Sequence, residues 1–338
     1  MNFIVRSARR EDLKQLMELA RQFTLLNLPA DKNVIGKKID KSIASFEGKV
    51  SANEAEYLFV LEDTSDGFIA GSSQIVGKKG NEKKPAYSFQ ILKKERFSKD
   101  LGIGFIHQVL RLRIETDGAA EVGGLVLDRG YRRLPEKLGK LMSLIRFLYI
   151  ALDRQRFGKM IHSEMAPPLT EEGRSEFWEA LGRRFTGMPY AEADALSQQN
   201  KGFIEDLFPE EDIYLALLDS RARLVMGRVA EETQAAEYML KKIGFEATDE
   251  VDPFDGGPHL KAEIDNIPLI KNGRKFCVNK GEAPHYNRVG YLAIMEDGEF
   301  FGCQSAYMQD DSGVYLPEKT KKILKLKEKS EIFLSPME

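Results

Sequence analysis

Apolar positions along the chain fall into alternating strand and helix periods. "FIVRSARREDLKQLMELARQF" predicts a short strand, a polar turn and a helix. In it Leu13, Leu16, Met17 and Ala20 recur at i, i+3, i+4 and i+7 and make one apolar face. Glu11 and Asp12 stand in its first turn, where carboxylates suit the positive helix end. "NLPADKNVIGKKIDKSIASF" predicts a loop and a second helix. "EYLFVLED" and "FIAGSSQIVG" are β-rich runs joined by the turn signal "TSDG". "GKKGNEKKP" predicts a polar hairpin loop leading into the strand "AYSFQIL". After a mixed segment, "AEVGGLVLD" (Ala120 to Asp128) predicts a compact apolar strand.

The longest helical period is "LGKLMSLIRFLYIALDRQRF". Leu138, Leu141, Met142, Ile145, Leu148, Tyr149 and Leu152 form its stripe, and Arg154 and Arg156 suit its C-terminal end. "KMIHSEM" predicts a short buried strand. "SEFWEALGRRF" and "AAEYMLKKIGF" each predict an amphipathic helix. Gly182 and Gly244 near their ends predict left-handed caps, and Phe177 and Trp178 predict core anchors. From about Asn272 the pattern changes to short strands, "RKFCVNKG", "VGYLAIM", "EFFGCQSAYM" and "VYLPE", with "EDGE" as a turn. The expected architecture is an α/β body over residues 1–271, a mixed sheet flanked by helices, and a small β-rich C-terminal module over 272–338.

Composition narrows this little. The 338 residues carry a net charge of −3 and are 42% hydrophobic. A balanced charge gives no reason to expect a nucleic-acid partner, and "EKTKKILKLKEK" reads as a solvated face. No apolar run approaches the roughly 20 residues that span a bilayer, and "MNFIVRSARREDL" lacks a signal peptide's apolar core. A cytoplasmic protein with no membrane partner is expected. Cys277 and Cys303 form no C-x-x-C pair, and the four histidines are far apart in sequence. No metal site is expected, and both thiols are expected to be buried.

The strand "GGLVLD" feeds "RGYRRLPEKLGKLMS", a basic loop opening a long helix. Unpaired N–H groups, the helix dipole and basic side chains together suit a phosphate. The order of elements resembles the acyl-CoA N-acyltransferase (GNAT) superfamily. The stretches "LPADKNVIGKKI", "DGAAEVGGLVLDRGYR", "KGFIEDLFPEEDIY", "GRVAEETQAAEYMLKKIGF" and above all "DPFDGGPHLKAEID" resemble the arginine N-succinyltransferase family. The resemblance implies a GNAT-like fold, a succinyl-CoA or other acyl-CoA co-substrate, and an amino-acid acceptor acylated on its α-amine. It also implies a homo- or hetero-oligomer.

Carried over by residue, the resemblance puts the pantetheine arm on Leu125, Val126 and Leu127. It puts the pyrophosphate near Arg132, Arg133, Gly139 and Lys140, and the acceptor near Glu164, Asp255, Gly256 and Gly257. The chain departs from the family pattern in places. Lys137 stands at the first glycine position of the phosphate loop, and Ala166 stands where the family tends to carry arginine. The family's proton-carrying histidine falls on Ala230. Glu231, Glu232, Glu164 or His259 could serve instead as the base if burial brings a pKa near neutrality. Three expectations stay open: an acyltransferase with a relocated base, one with a different acyl group or acceptor, and a catalytically impaired acyl-CoA-binding subunit or regulator.

Overall fold

The computed structural model describes residues 2–22, 28–197 and 201–337. The described strands are β1 (Phe3–Ser7), β2 (Glu56–Asp63), β3 (Phe68–Val76), β4 (Ala86–Ser98), β5 (Ile103–Glu115), β6 (Ala120–Leu127), β7 (Met160–Glu164) and β8 (Ile213–Tyr214). They continue with β9 (Glu246–Val251), β10 (Pro258–Glu263), β11 (Arg274–Cys277), β12 (Arg288–Glu296), β13 (Glu299–Asp310), β14 (Gly313–Tyr315) and β15 (Glu331–Pro336). The chain forms two compact units. One comprises Met1–Lys78, Ala120–Ile161 and Glu263–Glu338, and the other Lys79–Ala119 and His162–Ala262.

In the first unit the strand order is β11-β15-β12-β13-β1-β2-β3-β6. Its expected hairpins are present. β2 returns as β3 through "TSDG", and β12 returns as β13 through Asp297-Gly298, both with positive φ. The helix Lys32–Phe46 is capped by Asp31, whose side chain accepts from the amides of Asn33 and Val34. Ile35 and Ile39 on that helix pack with Leu16, Leu19, Leu58 and Val60 in one apolar cluster. The tail does not form a unit of its own, as the division at 271/272 expected. Its strand β13 pairs antiparallel with β1, which ties residues 263–338 to the N-terminal strands. Cys303 is buried, but Cys277 is exposed because β11 is the outermost strand of this order.

The expected long helix is two segments, Leu138–Leu144 and Arg146–Leu152. At the break, Arg146 Nε donates to the Ser143 carbonyl at 3.1 Å.

In the second unit the strand order is β10-β9-β4-β5-β8. "GKKGNEKKP" is not a hairpin loop, because β4 pairs with β5 and β9 and the loop instead carries the chain from one unit to the other. β5 occupies the mixed segment. Before Gln108 its apolar side chains Ile103, Phe105 and Ile106 are all exposed, so no inside–outside alternation marks this half in the sequence.

The core of this unit gathers Phe89, Leu110, Phe177, Trp178, Phe208 and Phe254. Trp178 is fully buried, stacks on Phe254 at 5.2 Å and donates from its indole N–H to the Met188 carbonyl. Gly244 takes the expected left-handed conformation after the helix Gln234–Lys242, with φ +100°. Gly182 does not. It opens the helix Gly182–Thr186, whose left-handed cap is Gly187.

Gly182 is needed for close approach, since a Cβ there would lie 2.2 Å from the Trp178 ring. Gly182→Ala is therefore expected to cost about 1–3 kcal/mol through overpacking, read as a lowered Tm. An unchanged Tm would mean that the indole can move aside.

Candidate functional site

β7 and β10 of the second unit each place two chemically active side chains on one face, by the two-residue period of a strand. β7 supplies His162 and Glu164, and β10 supplies His259 and Lys261. With Glu250 from β9 and Lys79 they line a pocket. His259 is 3% exposed. Its Nε2 lies 3.4 Å from Glu164 Oε1, and its Nδ1 lies 4.0 Å from Glu250 Oε2. Lys261 Nζ donates to Glu250 Oε2 at 2.8 Å, and the Lys79 ammonium is paired with Glu164 Oε1. His162 meets His259 edge-on, with ring centroids 4.7 Å apart.

Burial, and next the charge of Lys79, hold both imidazoles well below the ordinary histidine range. Both are neutral at pH 7 and each keeps an acceptor lone pair. His162 Nδ1 and His259 Nε2 have no hydrogen-bond partner among the described residues. No metal set was expected because the histidines are far apart along the chain, but the fold brings three possible ligands together. His162, Glu164 and His259 come together with ligating atoms within 4.8 Å of one another.

Glu164 and His259 are thus the sequence-derived candidates that meet in this pocket. Glu231 and Glu232 are exposed on a short 3-10 turn, Glu231–Thr233. Ala230 before them is buried, and its amide donates to the Ala166 carbonyl. Asp255, Gly256 and Gly257 form a tight turn after β9. Asp252 Oδ1 accepts the Phe254 amide at 2.7 Å, and Asp255 Oδ1 accepts the Gly257 amide at 2.8 Å. Burial, and next the neighbouring Asp252, push the Asp255 carboxyl well above the ordinary carboxylate range. His162 and Lys79 were missed in the sequence. The only available signal for His162 was its two-residue offset from Glu164 in a short strand.

The candidates for acyl-CoA lie in the first unit. β6 carries an extra residue against β3, where Ser72 faces Val126 but Gln74 faces Gly123. Gly124 sits in this bulge with φ +57°. Val126 is buried, while Leu125 and Leu127 on either side are partly exposed.

Behind the bulge lies Arg146, 2% exposed. Its guanidinium donates to the carbonyls of Gln74 at 3.1 Å and Gly123 at 3.0 Å as well as to Ser143. Burial lowers its pKa to about 9.

Past β6, Arg132 Nε donates to the Leu127 carbonyl at 3.1 Å. Lys137 has φ +52°, the left-handed conformation that glycine adopts most easily, and its carbonyl accepts from the amides of Lys140 and Leu141. The backbone shape suited to a glycine is present although the residue is lysine. Arg133 and Lys137 are exposed, and Gly139 and Lys140 are half-buried.

A family model described as arginine N-succinyltransferase beta subunit matches residues 3–269. The arginine N-succinyltransferase of Photorhabdus laumondii is 37% identical over 283 residues, 83% of this chain and 82% of that one. The enzyme of the same name from Enterobacter sp. strain 638 is 34% identical over 282 residues, 82% of this chain and 81% of that one. A solved structure, arginine/ornithine succinyltransferase subunit AI from Pseudomonas aeruginosa, matches with a TM-score of 0.86 and 29% identity, covering 99% of this chain and 98% of that one.

Proposed function

The chain belongs to the arginine N-succinyltransferase family of acyl-CoA-dependent N-acyltransferases, and from that premise we propose that it moves a succinyl group from succinyl-CoA to the α-amine of arginine or a close relative of it, with His259 as proton acceptor. The observation that carries the choice of base is the buried, neutral imidazole with Nε2 facing Glu164 Oε1 at 3.4 Å.

The amine nitrogen attacks the thioester carbonyl carbon and gives up a proton to His259 Nε2. The new imidazolium is stabilised by Glu164 and Glu250, the carboxylates beside its two nitrogens. Collapse of the oxyanion forms the amide and breaks the C–S bond. The thiolate takes the proton back from His259, leaving CoA thiol and neutral imidazole. Donor binding is assigned to Leu125, Val126 and Leu127 for the pantetheine arm. Arg132, Arg133, Gly139 and Lys140 are assigned to the pyrophosphate, a role supported by their basic character and by the glycine-like turn at Lys137. Asp255, Gly256 and Gly257 shape the acceptor side through their turn.

Ala230, which can move no proton, supports a second reading: an acyl-CoA-binding subunit or regulator within a homo- or hetero-oligomer. Incubation with succinyl-CoA and a panel of amino acids, following free thiol, separates the two. Turnover restricted to arginine-like acceptors is the expected result. Tight CoA binding without turnover would favour the regulator, and no CoA binding would remove both.

A further inference from the structure

We propose that His162, Glu164 and His259 form a binding site for one divalent transition-metal ion of the zinc class. Their ligating atoms lie within 4.8 Å of one another. His259 Nε2 and Glu164 Oε1 are 3.4 Å apart. Zinc bonds of about 2.0–2.1 Å at a tetrahedral angle hold ligand atoms roughly 3.3–3.4 Å apart, so this spacing fits a shared ion. Two imidazoles and one carboxylate with a fourth position open is a set that suits zinc. An ion of the magnesium or calcium class would want more oxygens.

Two further observations support the site. His162 Nδ1 and His259 Nε2 are buried nitrogens with no hydrogen-bond partner among the described residues. Leaving such a group unpaired is destabilising, and an ion would remove that cost. All three side chains also stand on strands, which fix their positions, rather than on loops. The Lys79 ammonium now holds Glu164 Oε1 and is the competing cation. Lys261 is occupied by Glu250. Metal binding must displace Lys79, so removing its charge must tighten the site.

The test titrates chelator-stripped, full-length protein with zinc chloride by calorimetry and with cobalt chloride by visible absorption. One ion per chain with tetrahedral cobalt bands is expected. His162→Gln and His259→Gln should each weaken binding by about tenfold or more. His285→Gln and Cys277→Ser, at an exposed histidine and the exposed thiol, should leave it unchanged. Lys79→Met should tighten it.

No saturable binding, or binding that neither His162→Gln nor His259→Gln weakens, overturns the site. If those variants fail to fold by circular dichroism, Lys79→Met decides, and an affinity that does not rise overturns it. One consequence rests on the proposed role of His259: an ion on Nε2 takes the lone pair used in acyl transfer, so zinc should inhibit turnover. Zinc bound at full turnover would leave the metal site standing and count against His259 as the base.

Discussion

His259→Gln is expected to lower kcat by about 10²–10⁴-fold, the range for loss of a positioned general base, with the KM for succinyl-CoA unchanged. Glutamine keeps the size and polarity of the side chain but cannot accept the proton. Glu164→Gln should cause a smaller loss, because Glu164 acts on the imidazolium and not on the amine. Glu231→Gln and Glu232→Gln should leave kcat near wild type, since both carboxylates are exposed.

The pH dependence separates catalysis from packing. The active form of His259 is neutral, and burial has moved its pKa well below the ordinary value. Protonation of His259 therefore reduces wild-type activity only well below pH 6.5. Both proteins need the neutral amine, whose pKa is near 8 for a model α-amine. The variant must in addition pass the attacking nitrogen's proton to water or hydroxide, so its rate should go on climbing with pH above that value where wild type levels off. Full activity in His259→Gln, or an unchanged pH profile, would remove this residue as the base.

Stability moves in a related window. A histidine with a depressed folded pKa leaves the unfolded chain binding more protons below about pH 6.5, so its contribution is present above that pH and is lost as the pH falls, by at most about 1.4 kcal/mol per pH unit. Asp194, raised to about 6 by burial, and Asp255 act in the opposite sense. The histidine contribution is therefore visible as the difference between wild type and His162→Gln, not in the wild-type curve alone.

The sequence made local features legible and left cross-chain geometry hidden. Gly244 could be read because a helix end and a glycine lie side by side in the chain. Gly182 looked the same, yet its reason is the Trp178 ring packed against it, a contact that no spacing reports. β5 escaped because its outer half exposes apolar side chains. At the site, Glu164 and His259 were found through resemblance, but their meeting with His162 depends on β7 lying beside β10. The glycine-like backbone at Lys137 was also hidden, since its residue type argues against the conformation it adopts.

Replacement of Arg146 by Met is expected to lower stability by on the order of 3 kcal/mol. The competing terms can be named. Loss of the guanidinium leaves the buried Ser143 carbonyl and the half-buried carbonyls of Gln74 and Gly123 without this donor, at up to about 1–3 kcal/mol each. Against this, the variant no longer buries a cation that is held by carbonyls and the Ser143 hydroxyl rather than by a carboxylate, a relief of several kcal/mol. The carbonyl terms win because three acceptors lose their donor together while the methionine fills only the space. Gly123 and Gln74 flank the β6 bulge, so freeing them lets the bulge relax and shifts Leu125 to Leu127, the strand proposed to meet the pantetheine arm. Arg146→Met should thus raise the Kd for CoA as well as lower Tm. Arg146→Lys, which keeps the charge but has a single nitrogen for carbonyls the guanidinium reaches with several, should recover only part of either. A Tm loss with CoA affinity intact would mean that Arg146 holds the fold and not the bulge's function; no Tm loss would mean that the stranded carbonyls find other donors.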